Sequence, residues 1–243
     1  MKKSAIVLCA VLLNACAFHP TLESFEAKEI KTEKLTLAVW EKNTIQKGKP
    51  MRLYIEGDGN PNPKHQIAKE FAIKDTSSNV IYIARPCQWV QDKICKTTPA
   101  IYKEAKFHPE LMKEMTELTQ YLVHKYQAPS VEIIGYDGGA VVALNIAPKL
   151  PTNKVITIAG ITDTTLYQQY HEITLSEETE NPADNLLVLE SIPQIHYVGK
   201  NDTVTPQYLT ERFVRQMKNP KSAVVKVIPD TNHTNWRGIT LDY

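Results

Sequence analysis

Three residues of this chain are of types that do chemistry together: Asp137, Asp202 and His233. Asp137 is the middle residue of Gly135-Tyr136-Asp137-Gly138-Gly139. The apolar run Val131-Glu132-Ile133-Ile134 precedes it, and Ala140-Val141-Val142-Ala143-Leu144 follows. Strand, sharp turn and helix in that order are the layout of a nucleophile elbow, G-x-S-x-G, in which a strained turn lifts one side chain above a parallel sheet. Here the lifted side chain is a carboxylate where the motif has a hydroxyl.

Asp202 ends Gly199-Lys200-Asn201-Asp202, just after the apolar run at 195–198. His233 ends Asp230-Thr231-Asn232-His233, just after the run at 223–228. Functional groups gather at the carboxyl ends of strands in open α/β sheets. Taken singly, Asp202 would serve as a helix cap before Pro206, and His233 as a solvated loop residue. Taken together they supply the acid and the base that an elbow side chain needs, in the chain order nucleophile, acid, base. Glu56-Gly57-Asp58-Gly59 follows a fourth run that ends at Ile55. Glycines there would let the backbone amides of Asp58 and Gly138 approach a developing oxyanion, although a plain turn has the same composition. A cation site built from Glu56, Asp58 and Asp137 is the weaker reading, since no ligand spacing supports it. The sequence implies no cofactor and no metal.

The elements that must position these residues follow from hydrophobic periodicity. Short apolar, β-branched runs at 35–40, 51–56, 79–83, 131–134, 155–158, 195–198 and 223–228 read as strands. The first alternates in the manner of an edge strand, and the later ones are apolar throughout, as strands buried on both faces are. Residues 65–73, 109–126 and a segment begun by Pro206 read as helices. In the second of these Leu111, Met115, Leu118 and Leu122 lie along one face, and Pro109 suits the first turn. Alternating strands and helices predict an α/β fold, with a mostly parallel central sheet and helices on both faces. The long interval at 161–193 reads either as a short cap or as a helical excursion without contact to substrate. It carries Tyr167, Tyr170 and His171.

The first residues read as an export signal. Met1-Lys2-Lys3 is positive, residues 5–13 are apolar but too short to span a bilayer, and Leu13-Asn14-Ala15-Cys16 has the form of a lipobox. Residues 1–15 are expected to be removed, Cys16 to be lipidated, 16–33 to form a tether and 34–243 the domain. An ordinary secretory signal is the alternative. Ala17 after the cysteine points to the outer membrane of a bacterial envelope, with the membrane reached through the acyl chains. The chain has 28 Lys and Arg against 27 Asp and Glu, so it has no basic footprint for nucleic acid. The expected partner besides the membrane is a small molecule. Four cysteines are present. With Cys9 in the signal and Cys16 lipidated, Cys87 and Cys95 remain and are expected to pair in an oxidising compartment. A metal reading is weaker, with two thiols and no close histidine.

The chain resembles a family of bacterial α/β-hydrolase-like proteins, several of them lipoproteins. The resemblance rests on Ile55-Glu56-Gly57-Asp58-Gly59, Ala84-Arg85-Pro86-Cys87-Gln88, Gly135-Tyr136-Asp137-Gly138-Gly139, Ala159-Gly160, Asn181-Pro182-Ala183-Asp184, Val198-Gly199-Lys200-Asn201-Asp202 and the segment 229–236 with His233. It covers most of the chain after about residue 34. It implies the α/β-hydrolase fold and an esterase-like or lipase-like triad, except that Asp137 stands where the family has Ser. A carboxylate attacking an acyl carbon would give a high-energy mixed anhydride, so ordinary ester turnover is disfavoured. A carboxylate can attack a saturated carbon, as the elbow Asp of haloalkane dehalogenases and epoxide hydrolases does. Dehalogenases place a Trp after that Asp to hold halide, and Gly138 stands here. Epoxide opening needs acid tyrosines, for which Tyr167 and Tyr170 are candidates. The remaining outcome is a non-catalytic binding or scaffold protein. A salt-bridged Asp137 at a helix N-terminus would there be compatible with a quiet site.

Overall fold

A computed structural model describes residues 23–58, 66–97, 106–175 and 178–243. The expected signal peptide and Cys16, together with Gly59 and Glu177, lie outside the described residues. No helix among the described residues is long and apolar enough to cross a membrane.

The described residues build one eight-stranded sheet. Its strands are β1 (Phe25–Lys31), β2 (Thr36–Lys42), β3 (Met51–Ile55), β4 (Val80–Ile83), β5 (Val131–Tyr136), β6 (Thr152–Ile158), β7 (Gln194–Gly199) and β8 (Ala223–Ile228). The order across the sheet is β1-β2-β4-β3-β5-β6-β7-β8. From β4 to β8 every pairing is parallel, while β1 and β2 join antiparallel. The helices are α1 (Ile67–Lys74), α2 (Lys93–Thr97), α3 (Pro109–Tyr126), α4 (Gly138–Ile146), α5 (Thr164–His171), α6 (Leu186–Leu189) and α7 (Gln207–Arg215).

Strand alternation divides the core into two layers. Leu53 and Ile55 of β3, Ile81 and Ile83 of β4 and Val131 and Ile133 of β5 bury into one cluster with Leu111, Met115, Leu118 and Leu122 of α3. Tyr54, Tyr82, Ile134 and Tyr136 point the other way, and pack with Ile67 and Phe71 of α1 and with Trp236. Helices therefore cover both faces, because successive side chains of a strand leave on opposite sides. The apolar stripe of α3 begins at Pro109 and ends before Gln127, which adopts the left-handed conformation at φ 51°.

One local reading changes. The edge is β1 rather than the strand at 35–40, so residues 25–31, read as tether, belong to the sheet. Their charged side chains are those of an exposed edge strand, where charge discourages pairing with another chain. The interval at 161–193 holds α5 and α6, and Tyr167 of α5 packs against the larger core cluster. The expected pairing of Cys87 with Cys95 is present, with Cα atoms 5.8 Å apart.

Candidate active site

The carboxyl edge of the parallel strands collects the candidate residues. Asp137 lies between β5 and α4 with φ 50° and ψ −121°. Positive φ is uncommon for a residue with a Cβ and costs about 1–3 kcal/mol, so it persists only where neighbours over-determine it. They do so here. The Asp137 amide donates to Ile158 O (3.1 Å), and its carbonyl accepts from Ala140 N (3.0 Å) and Ile161 N (3.1 Å). Close packing of α4 against β3 completes the elbow, since a Cβ on Gly139 would lie 2.4 Å from Ile55 O and 2.5 Å from Glu56 O.

The three carriers of the expected chemistry meet. His233 Nε2 lies 3.6 Å from Asp137 Oδ1, and His233 Nδ1 lies 3.0 Å from Asp202 Oδ2. Asp202 is fixed by its own loop. Its Oδ1 accepts from the amides of Val204 (2.8 Å) and Thr205 (2.9 Å), and its Oδ2 from the Thr205 hydroxyl (2.8 Å). The His233 loop is anchored through its carbonyl, which accepts from Trp236 Nε1 (2.9 Å) and the Tyr136 hydroxyl (3.2 Å). An amide bond from Asn201 to Thr231 O (2.9 Å) joins the Asp202 and His233 loops.

Electrostatics make this a charged array. Burial opposes protonation of His233, but hydrogen bonds and charge from Asp137 and Asp202 outweigh it and push the imidazole up to about 9. Burial works against both carboxylates, yet His233 holds each below its ordinary value. The resting site is thus Asp⁻–HisH⁺–Asp⁻ at neutral pH. A serine hydrolase instead keeps its histidine neutral so that it can take the hydroxyl proton.

The loop after β3 brings a side chain as well as an amide. The Asp58 carboxylate packs directly on Gly138: a Cβ there would fall 2.3–2.5 Å from its carboxyl atoms. Arg85 Nη1 lies 3.1 Å from Asp58 Oδ1, and Lys106 Nζ 3.6 Å from Oδ2. Burial pushes the Asp58 carboxyl up, with Arg85 opposing and Asp137 adding to the rise. A carboxylate beside the proposed oxyanion donors disfavours negative charge there. The glycine-rich spacing suggested the amides, but nothing in it revealed the direction of this side chain, nor the part played by Arg85.

Glu56 is not turned toward a cation. It is buried, and accepts from Gly57 N (3.0 Å), Lys69 N (3.4 Å) and the Tyr82 hydroxyl (3.1 Å). No cluster of His, Cys, Asp and Glu suited to a metal occurs among the described residues. Of the two candidate tyrosines, Tyr167 is half-buried against the core cluster, its ring 4.4 Å from that of His171. Burial first, and then the charges of Asp137, Asp58 and Asp202, raise its phenol to about 12. Tyr170 is more exposed, donates to Thr203 O (3.1 Å) and stacks edge-on against Tyr208.

Neither protein-family models nor curated proteins match this sequence. Solved structures do match its fold. An esterase of Pyrococcus furiosus aligns at TM-score 0.65 and 16% identity, over 89% of this chain and 86% of that one. Est1E from Butyrivibrio proteoclasticus aligns at 0.60 and 12%, over 86% and 90%. An α/β serine hydrolase homologue from Coxiella burnetii aligns at 0.58 and 14%, over 88% and 90%. The chain has the α/β-hydrolase fold.

Proposed function

We propose that this chain is a hydrolase-fold protein of the bacterial cell envelope, lipid-anchored through Cys16, in which carboxylate chemistry replaces serine-type ester hydrolysis at the elbow. The observation that carries the reading is the placement of Asp137: it occupies the strained perch, with His233 Nε2 3.6 Å away and the other imidazole nitrogen 3.0 Å from Asp202. The reaction class is displacement at a saturated carbon of a small epoxide or related compound.

An Asp137 oxygen attacks the ring carbon, and the ring C–O bond breaks as the ester bond forms. Tyr167, whose phenol burial and the carboxylate charges raise to about 12, gives its proton to the departing oxygen. Esterification removes the charge of Asp137, so His233 loses one of the two partners that held its proton. The proton returns to the Tyr167 oxygen, and neutral His233 becomes a base. It then takes a proton from water as that water attacks the Asp137 carboxyl carbon, with Asp202 stabilising the new imidazolium. The adduct collapses by breaking the bond between the carboxyl carbon and the substrate-bound oxygen, and the second proton of the water passes to that departing oxygen. The products are the diol and the free Asp137 carboxylate, with His233 protonated again. The charged resting site suits this order of events, because the base appears only after the first step.

A second reading is favoured by the Asp58 carboxylate against Gly138: a non-catalytic protein that binds a small molecule on the same scaffold. A panel of epoxides and chromogenic esters, run on the wild type, Asp137→Asn, Asp137→Ser and His233→Ala, separates the readings. Epoxide turnover lost in Asp137→Asn supports the carboxylate route. No turnover of any epoxide by the wild type supports the binding protein. Ester turnover that survives Asp137→Asn but not His233→Ala would sink both.

A further inference from the structure

We infer that Arg85 is a positioning residue of the site: its guanidinium ties the Asp58 carboxylate to the Gly138 carbonyl and so fixes both loops that flank Asp137. The inference rests on reading residue 137 as the working position of the elbow.

Arg85 follows β4 and is only 5% exposed. Its Nη1 donates to Gly138 O (2.9 Å) and lies 3.1 Å from Asp58 Oδ1, and its Nη2 donates to Lys106 O (2.5 Å). One planar fork thus spans the first turn of α4, the loop after β3 and the chain entering α3. The turn that carries Arg85 grips the site a second time. The Arg85 amide donates to Gln88 Oε1 (2.9 Å), and Gln88 Nε2 donates to Gly57 O (2.9 Å). Cys87, at φ 61°, is joined to Cys95 and closes this turn.

A buried guanidinium is costly unless paired and hydrogen-bonded, and an apolar side chain would fill the same space at lower cost. What the guanidinium adds is charge at a defined place. Asp58 and Asp137 are both half-buried, both lie against the Gly138 turn, and neighbouring carboxylates disfavour each other's ionisation. Arg85 feels both. With it in place, the two can be ionised together, and Asp137 is left to pair with His233.

The test reads the resting protein without substrate, by NMR titration of the His233 ring. The groups facing that ring are Asp137 and Asp202, with Tyr136 packed beside it. Asp58→Asn removes a negative charge near Asp137 and should lower the His233 midpoint by about half a pH unit or more. Arg85→Gln should raise it, and the double variant should return it close to the wild-type value. Arg85→Lys keeps the charge but lacks the planar fork. It should move the carbonyl carbon resonance of Gly138 while leaving the His233 midpoint in place. A midpoint that ignores both Asp58→Asn and Arg85→Gln in folded protein overturns the inference. If Arg85→Gln does not fold, Asp58→Asn and Arg85→Lys decide it: an unchanged midpoint in the first with an unchanged Gly138 resonance in the second is the overturning result. Absence of turnover would sink the proposed chemistry and leave this result standing.

Discussion

His233 Nε2 faces Asp137 Oδ1 across 3.6 Å, an ion pair where a serine hydrolase has a hydroxyl-to-imidazole hydrogen bond. The contact explains why the histidine is charged at rest, and its first consequence is a pH dependence of stability. The imidazole titrates near 9 in the fold and at about 6.5 when unfolded. Stability from a raised histidine is fully present below the unfolded value and is lost as pH rises through the folded one. The unfolding free energy should therefore fall between pH about 6.5 and 9, by on the order of 3 kcal/mol at most. His233→Gln should flatten that window in urea titrations, and a wild-type curve that is flat there contradicts the ion pair.

The same histidine separates the two chemical steps. Without it, attack by Asp137 can proceed but water cannot be activated. His233→Gln incubated with an epoxide should accumulate a covalent adduct of one substrate mass on Asp137, visible in the intact-protein mass spectrum. Adding Asp137→Asn should abolish the adduct. An adduct that maps to any other residue removes Asp137 from the role of nucleophile.

Packing at the elbow makes two glycines unequal. A methyl on Gly138 meets the Asp58 carboxyl, a side chain that can give way only by loosening its hold on Arg85, whereas one on Gly139 meets the backbone oxygens of Ile55 and Glu56. Gly138→Ala should cost about 1–3 kcal/mol, and Gly139→Ala more than that range. Denaturant midpoints with unchanged slopes would measure both. Equal losses would mean that Asp58 is as rigid as the backbone.

The disulfide closes a short loop with a sequence separation of 8. In the chain-entropy view, its removal by Cys87→Ala with Cys95→Ala should cost about 2.5 kcal/mol. Because the same turn holds Arg85 and Gln88, the amide resonances of Gly57 and Gly138 should shift more than those of the distant β8. Uniform shifts throughout the sheet would point to general loosening instead.

Much of this was legible in the sequence, for identifiable reasons. Leu111, Met115, Leu118 and Leu122 repeat at helical spacing, and α3 runs over the expected residues. Asp137 and Asp202 each follow a buried strand, while His233 follows β8, an edge strand that is mostly half-exposed rather than, as expected, buried on both faces; a parallel sheet must bring all three strand ends to one edge. Phe25–Lys31 escaped, because an edge strand that is mostly charged carries no apolar pattern and is defined by its partner β2. Asp58 was read for its amide. Its side chain is directed by Arg85, 27 positions away along the chain, a contact with no local signature. Tyr167 and Tyr170 look alike in sequence, and only the turn of α5 packs one against the core and sends the other to Thr203.

The positive φ at residue 137 makes the elbow a loaded element. A glycine there would relieve the distortion at once. Three backbone bonds, to Ile158, Ala140 and Ile161, hold residue 137 in that shape. The perch is therefore only as secure as those bonds, and cutting any of them should let the carboxylate sink away from His233.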